Sequence, residues 1–120
     1  MIRADAMALI FKIVGADEWR RAEAHGEFAG SAVDLRDGFI HFSDAQQAPA
    51  TAAQWFAGRD DLMLVAVDAM ALGASLKWET SRGGALFPHL YAALPLSAVA
   101  WTRPLPLGPD GVHQFGDLAS

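Results

Sequence analysis

Apolar residues in this chain come in short runs separated by turn-forming residues, the pattern of a small domain built from alternating strands and helices. Leu9 to Val14 is apolar apart from Lys12 and predicts the first strand. Asp17 suits the cap of a following helix, where Trp19, Ala22 and Glu23 recur at helical spacing and Gly26 marks the stop. Gly30 to Leu35 reads as a loop or a short extended piece. Asp37-Gly38 is a turn signal, and Phe39, Ile40 and Phe42 supply the aromatic and β-branched residues that strands favour. With a side-chain period of two, His41 shares a strand face with Phe39 and Ser43.

Ser43 with Gln46 fits a capping box, and the next helix runs through Ala45, Ala48, Ala52 and Trp55-Phe56 towards Gly58. Pro49 either opens that helix after a separate turn or kinks it. Leu62 to Val67 is the clearest strand, and its unbroken apolar run predicts a sheet centre covered on both faces. Ala69 to Leu72 forms a turn or one helical turn closed by Gly73. Ser75 to Glu79 is extended, with Leu76 and Trp78 on one face and Lys77 and Glu79 on the other. Ser81 to Ala85 is a glycine loop, and Phe87 to Tyr91 is a second aromatic-histidine strand or edge. After a turn at Pro95 to Ala98, Val99 to Leu107 is the last strand, its end assigned to a sheet edge by Pro104 and Pro106. Asp110-Gly111 turns the chain before Val112 to Phe115. These elements predict an α+β fold with a mixed or antiparallel sheet and two or three short helices, one domain over residues 1–120 with its core between 9 and 115.

At 120 residues the chain is long enough to bury a core without covalent staples. An apolar fraction of 52% against 19% charged describes a globular protein. The net charge of −5 and the lack of any basic run argue against a nucleic-acid partner. There is no cysteine, which excludes disulfides and thiolate zinc sites and fits the expected cytoplasmic location. The start, Met1 to Asp5, carries an acid and no long apolar core, unlike a signal peptide, and no apolar run has the length of a membrane span.

The chemistry-bearing residues fall in two halves. His41 and Ser43 come from one strand; Trp78, Glu79 and Arg82 flank Gly83-Gly84, and His89 and Tyr91 sit two apart. Together they offer an imidazole, a carboxylate, a guanidinium and aromatic platforms, with glycines that let the backbone approach a phosphate. Such a set suits a sugar or a nucleotide. Each residue also has a plain structural role to weigh against this: a satisfied histidine on an apolar strand for His41, a turn bond for His89, and an ion pair for Glu79 and Arg82. Trp19, Trp55 and Trp101 read as core. His41, His89 and Glu79 lack the tight spacing of a metal motif, so no metal is expected. Ser43 lacks the context of a nucleophile elbow. His25 suits a helix C-terminus, and His113 has no evident partner.

The chain resembles the bacterial family called domain of unknown function 952 over almost its whole length. The resemblance rests on Ile10 to Val14, Glu18-Trp19, Gly30 to Leu35, Asp37 to Ser43, Leu76 to Glu79, Arg82 to Tyr91, Pro95-Leu96 and Pro104 to Leu107. Ala92 stands where that family usually carries glycine. More distantly, Gly38-Phe39-Ile40-His41-Phe42-Ser43 is similar to a strand of the ADP-ribosyltransferase fold and of its RNA 2′-phosphotransferase branch. That similarity implies an ADP-ribosyltransferase-like domain with NAD as cofactor or substrate. His41 and Ser43 would read a ribose, Tyr91 or Trp78 would stack, Arg82 with Gly83-Gly84 would meet phosphate, and His89 would line the site. Glu79, paired with His41 as catalytic residue, would polarise a hydroxyl. Lys12 stands at the first-strand position where those proteins carry His or Arg, and an ammonium offers neither an acceptor nor a planar fork. Two readings follow: a nucleotide-binding transferase, and a non-catalytic module that binds a small ligand or a protein partner. They divide on whether His41 and Glu79 converge in one cleft.

Overall fold

Two three-stranded sheets meet along the segment that carries His41. A computed structural model describes residues 8–118; residues 1–7 and 119–120 and the side chain of Arg82 lie outside it, and with them the N-terminal stretch read above. Strands β1 (Leu9–Gly15), β4 (Leu62–Asp68) and β8 (Val99–Pro104) form one sheet in the order β1-β4-β8. Strands β3 (Ile40–His41), β6 (Leu86–Leu90) and β5 (Leu76–Thr80) form the other in the order β3-β6-β5. The short pair β2 (Glu27–Phe28) and β7 (Leu94–Pro95) completes the strands. Every pairing is antiparallel, which resolves the expected mixed or antiparallel sheet.

The junction is made by residues 42 and 43. The Phe42 amide donates to the Pro88 carbonyl (3.0 Å), and Phe11 and Ser43 exchange both backbone bonds (2.7 and 2.9 Å). The chain thus leaves β6 and joins β1 within two residues, so the strand expected through Ser43 is regular only at Ile40–His41. Of the two expectations for Phe87 to Tyr91, strand or edge, the structure has the strand: β6 is the middle strand of its sheet, with β3 on one side and β5 on the other. Pro88 is tolerated there because β3 pairing ends at His41–His89, so its missing donor interrupts no regular pair, while its carbonyl still accepts from Phe42.

Helix α1 (Ala16–His25) ends at Gly26, whose left-handed backbone (φ 99°) and amide bond to Ala22 close it. Gly15, not Asp17, occupies its N-cap; Asp17 lies in the first turn, where a carboxylate favours the helix dipole, and pairs with Arg20. Gly30 to Leu35, read as loop or extended, contains a second helix, α2 (Ala32–Asp37). Its start is a capping pattern with the shorter acid, Ser31 and Asp34, and a six-residue helix shows too little periodicity to be seen without it. Helix α3 (Ala48–Trp55) begins beside Pro49, where proline is compatible. The reciprocal bonds before it join Asp44 and Gln47 (2.8 and 3.0 Å), one residue later than the Ser43–Gln46 box.

β4 is the sheet centre, with Leu64, Val65, Ala66 and Val67 fully buried. On one face Ile10, Val14, Val65 and Val67 pack against Trp19 and Ala22 of α1 and against Ile40, Phe42 and Leu90 of the second sheet. On the other, Phe11, Ile13, Leu64 and Ala66 pack against Ala48 and Ala52 of α3. Each large apolar side chain so buried stabilises by about 1.5–3 kcal/mol before entropy is counted. Trp55 does not join this core: α3 buries its Ala48 and Ala52 edge, and Trp55 is 58% exposed. His113 does have a partner. It is buried, and its Nε2 meets the Arg59 carbonyl at 2.7 Å, tying the tail to the turn before β4.

Candidate functional site

The site grows from a buried ion pair. Lys12 lies on the core face of β1, the face of Ile10 and Val14, where an unpaired ammonium would be costly. Its Nζ reaches Asp34 of α2 at 3.0 Å to Oδ1 and 2.9 Å to Oδ2. Asp34 is 2% exposed and saturated with donors. Oδ2 accepts from the Ser31 amide (2.8 Å) and hydroxyl (3.0 Å), and Oδ1 from the His41 amide (3.1 Å). His41 Nδ1 lies 2.7 Å from the same Oδ1. Burial opposes ionisation of Asp34, but the His41 bond, the Lys12 ammonium and the Ser31 amide outweigh it and hold the carboxyl well below the usual carboxylate range. Burial also lowers the Lys12 pKa, an effect opposed by the same Asp34.

Gly30 fits against this pair by necessity. Its φ is +118°, and a Cβ there would lie 2.9 Å from the Asp34 Cβ. Gly30→Ala is therefore expected to destabilise the fold by more than about 1 kcal/mol, from backbone strain and displacement of Asp34 together. Chemical denaturation checks this, and an unchanged midpoint would show that α2 yields freely.

His41 is held from both sides, because its Nε2 lies 3.0 Å from Asp37 Oδ2 at the end of α2. Asp37 is kept below its ordinary pKa first by the Arg36 bond and then by His41. His89 sits directly across from His41 in the β3–β6 register. Its Nδ1 meets Glu79 Oε1 at 2.8 Å, and the Tyr91 hydroxyl donates to the same oxygen at 2.7 Å. These two bonds, His89 first, lower the Glu79 pKa, and the Glu79 carboxylate in turn raises that of Tyr91. Among the described residues nothing bonds Glu79 Oε2.

Phe39 ties the two histidines together. Its ring stacks on His89 (centroids 4.1 Å, planes 26° apart), tilts against His41 (4.5 Å) and reaches Tyr91 (5.3 Å). The two imidazoles are 5.6 Å apart, edge to face. Beside them a concavity of about 260 Å³ is lined by Asp34, Leu35, Phe39, Tyr91 and Ala92, among others. The carboxylates of Asp37 and Glu79, two imidazoles and two aromatic rings therefore border one partly exposed surface, with Asp34 buried beneath it.

His41, Glu79, His89 and Tyr91 are brought together, with Lys12 beneath them. Ser43 is not: its hydroxyl is buried against Thr51 of α3 at 3.0 Å, and its strand neighbours part where the sheets meet. Trp78 pairs with Pro88 on the sheet face opposite Glu79 and His89. Gly83 and Gly84 take left-handed backbones (φ 76° and 83°) in the exposed turn between β5 and β6, and Arg82 opens that turn. Asp34, Asp37 and Phe39 join the site beyond the residues expected from sequence. Their signals were present: Ser31 with Asp34 as a short capping pair, Asp37 four residues before His41, and Phe39 on the His41 strand face. Among the described residues no group of three histidines or acids is arranged to hold a metal ion.

Architecture and site define a small antiparallel α+β protein with a histidine–carboxylate cluster at the meeting of two sheets. The family "Protein of unknown function (DUF952)" matches residues 13–102, and the chain belongs to it. A crystal structure of protein CC0527 from Caulobacter crescentus is similar at 56% identity, over 92% of this chain and 97% of that one, with a TM-score of 0.88. A solution NMR structure of CC0527 is similar at 56% identity over 92% and 95% of the two chains, with a TM-score of 0.83. No curated protein matches. No described helix is long and apolar enough to cross a membrane.

Proposed function

We propose that this chain is an ADP-ribosyltransferase-like domain that binds NAD or a related nucleotide at the His41–Phe39–His89 cluster. The observation that carries the reading is the pair of imidazoles, each anchored through Nδ1 by a carboxylate and both packed on one phenyl ring. His89 keeps its Nε2 outside its carboxylate bond and can meet a ribose hydroxyl directly, whereas His41, with both ring nitrogens on carboxylates, would exchange its bond to partly exposed Asp37 for one. Phe39 and Tyr91 border the concavity and provide faces for a planar base. Asp37 and Glu79 bring negative charge to the surface of the site, the charge of Asp34 being offset by Lys12, and this favours positive charge developing on a ribose. Lys12 is committed to Asp34, so it positions His41 from below and leaves ribose contact to the histidines. Arg82 with Gly83-Gly84 is the candidate phosphate end.

In the transfer step, the bond between ribose C1′ and the nicotinamide nitrogen breaks and nicotinamide leaves with the bonding pair. An acceptor oxygen bonds C1′ and releases its proton, for which Glu79 Oε2 is the nearest unengaged carboxylate oxygen in the cluster. A module that binds the same ligands without chemistry is the second reading, favoured by the exposure of Glu79 and Tyr91 to water.

Ligand-observed NMR against NAD, ADP-ribose, nicotinamide and simple sugars tests the reading. Saturable binding of NAD or ADP-ribose is expected, weakened at least about tenfold in His41→Ala with the fold intact. Absence of binding by all of these would overturn it.

A further inference from the structure

Among the described residues, every sheet edge but one is blunted. β1 is covered on its outer side at Phe11, where Ser43 bonds it. β8 carries a register shift between its partners Ala66 and Val67 and ends in Pro104. β2, β3 and β7 are two residues long. Bulges, prolines and shortness keep an edge from pairing with another chain. β5 has none of them: it runs in unbroken register with β6, without glycine or proline. The Tyr91 amide donates to the Ser75 carbonyl and the Ser81 amide to the Ala85 carbonyl, both at 2.9 Å. Odd-numbered residues of β5 therefore bond β6, and Leu76, Trp78 and Thr80 turn their backbone groups outward. The Leu76 amide is taken by the Gly73 carbonyl. The other outward groups, those of Trp78 and Thr80 included, have no partner among the described residues. Lys77 and Thr80 are exposed, and Trp78 is 46% exposed.

The side chains select the strand that fits this edge. Lys77 alone would guard it, but Glu79 follows two residues on, on the same face. Lys77 forms no ion pair with a described residue, and Glu79 Oε2 is unengaged. When β5 meets a second β5 antiparallel about a two-fold axis at Trp78, Trp78 faces its own copy. Lys77 of each chain then faces Glu79 of the other, and Leu76 faces Thr80. Trp78 turns its backbone outward, so the two copies of Trp78 exchange both main-chain bonds. The Thr80 amide of each chain donates to the Leu76 carbonyl of the other, which leaves the engaged Leu76 amide undisturbed. Moving the axis by one residue in either direction sets Lys77 against Lys77 or Glu79 against Glu79. Only the register centred on Trp78 gives opposite charges throughout, so β5 is its own complement.

We propose that two copies of this chain pair through β5, antiparallel about a two-fold axis at Trp78, joining their β3-β6-β5 sheets into one. The contact is one strand wide, so the pairing is reversible and weaker than that of an obligate dimer. It stands independently of the nucleotide reading; where both hold, pairing and transfer compete for Glu79 Oε2.

Sedimentation equilibrium of the nucleotide-free protein, from about 10 μM to about 1 mM, tests this. The mass should rise from one chain towards two. Lys77→Glu and Glu79→Lys should each weaken pairing at least about tenfold, because like charges then face each other across the axis. An equimolar mixture of these two variants should regain the natural association, every facing charge in the mixed pair being opposite. Thr80→Pro removes an amide that points away from β6, and should weaken pairing at least about tenfold with the sheet retained. Glu79 bonds His89 and Tyr91, so if Glu79→Lys does not fold, Lys77→Glu and Thr80→Pro decide. The mass of one chain throughout the range would overturn the proposal. So would pairing left unchanged by Lys77→Glu or by Thr80→Pro, or a mixture of folded variants that does not associate.

Discussion

Asp34→Ala is expected to cost about 3–5 kcal/mol of folding stability, a fall in Tm of roughly 10–25 °C. The size follows from what remains. Lys12, 5% exposed on the core face of β1, would lose its counter-ion, and the amides of Ser31 and His41 would lose their acceptor. A buried charge left alone costs more than the intact pair contributes. Asp34→Asn should be milder, because an amide oxygen still accepts from the backbone. Adding Lys12→Met to Asp34→Asn should recover at least about half of the remaining loss, since the charge is then gone too. A loss below about 1 kcal/mol for Asp34→Ala would place the pair among solvated surface bridges and undo this account.

The same group sets an acid limit on stability. The folded pKa of Asp34 is depressed, so its contribution is fully present above the ordinary carboxylate pKa of about 3.9 and is lost as pH falls towards the folded value. Wild-type stability should therefore decline more steeply than that of Asp34→Asn below about pH 4. Parallel acid profiles of the two proteins, measured by thermal melts, would show that the pair does not govern acid unfolding.

Glu79→Gln is expected to lower NAD cleavage, read as nicotinamide release, by about 10²-fold or more while ADP-ribose binding stays within a few-fold of wild type. This rests on the proposed transferase reading. Gln keeps an oxygen for His89 and Tyr91 at the position of Oε1, where both bonds converge, and removes the charge and basicity of Oε2. Loss of rate without loss of affinity would assign Glu79 to the chemical step. Equal loss of both would make it a binding residue. Absence of cleavage in the wild type, with ADP-ribose still bound, would favour the non-catalytic module.

Local chemistry explains which parts of this arrangement could be read in advance. Unbroken apolar residues from Leu62 to Val67 admit only a doubly covered strand, and β4 is that strand. Gly26 stops α1 because a left-handed residue is needed there, whatever surrounds it. Asp37-Gly38 and the aromatic residues after it placed His41 at the start of an element. The departures at α2 and at the start of α3 share one reason. In α2 and in the cap of α3, short polar residues sit one or two positions from an equally plausible pattern, and packing selects between them. Trp55 was read as core from residue type alone, but the burial of α3 follows Ala48 and Ala52 and turns Trp55 outward.

The candidate site divides in the same way. Alternation along β3, β5 and β6 put His41, Glu79 and His89 on predictable faces, so half of the cluster was legible as residues in need of partners. Which partners they took was decided by tertiary structure alone. Lys12 and Asp34 are 22 residues apart in sequence, and Glu79 and Tyr91 are 12 apart; only the β3-β6-β5 pairing and the docking of α2 on β1 close those gaps. Periodicity records which face of an element is dry, whereas the identity of the facing element depends on antiparallel register between distant segments. A buried lysine in a first strand therefore reads as an anomaly in one dimension and as the anchor of a histidine site in three.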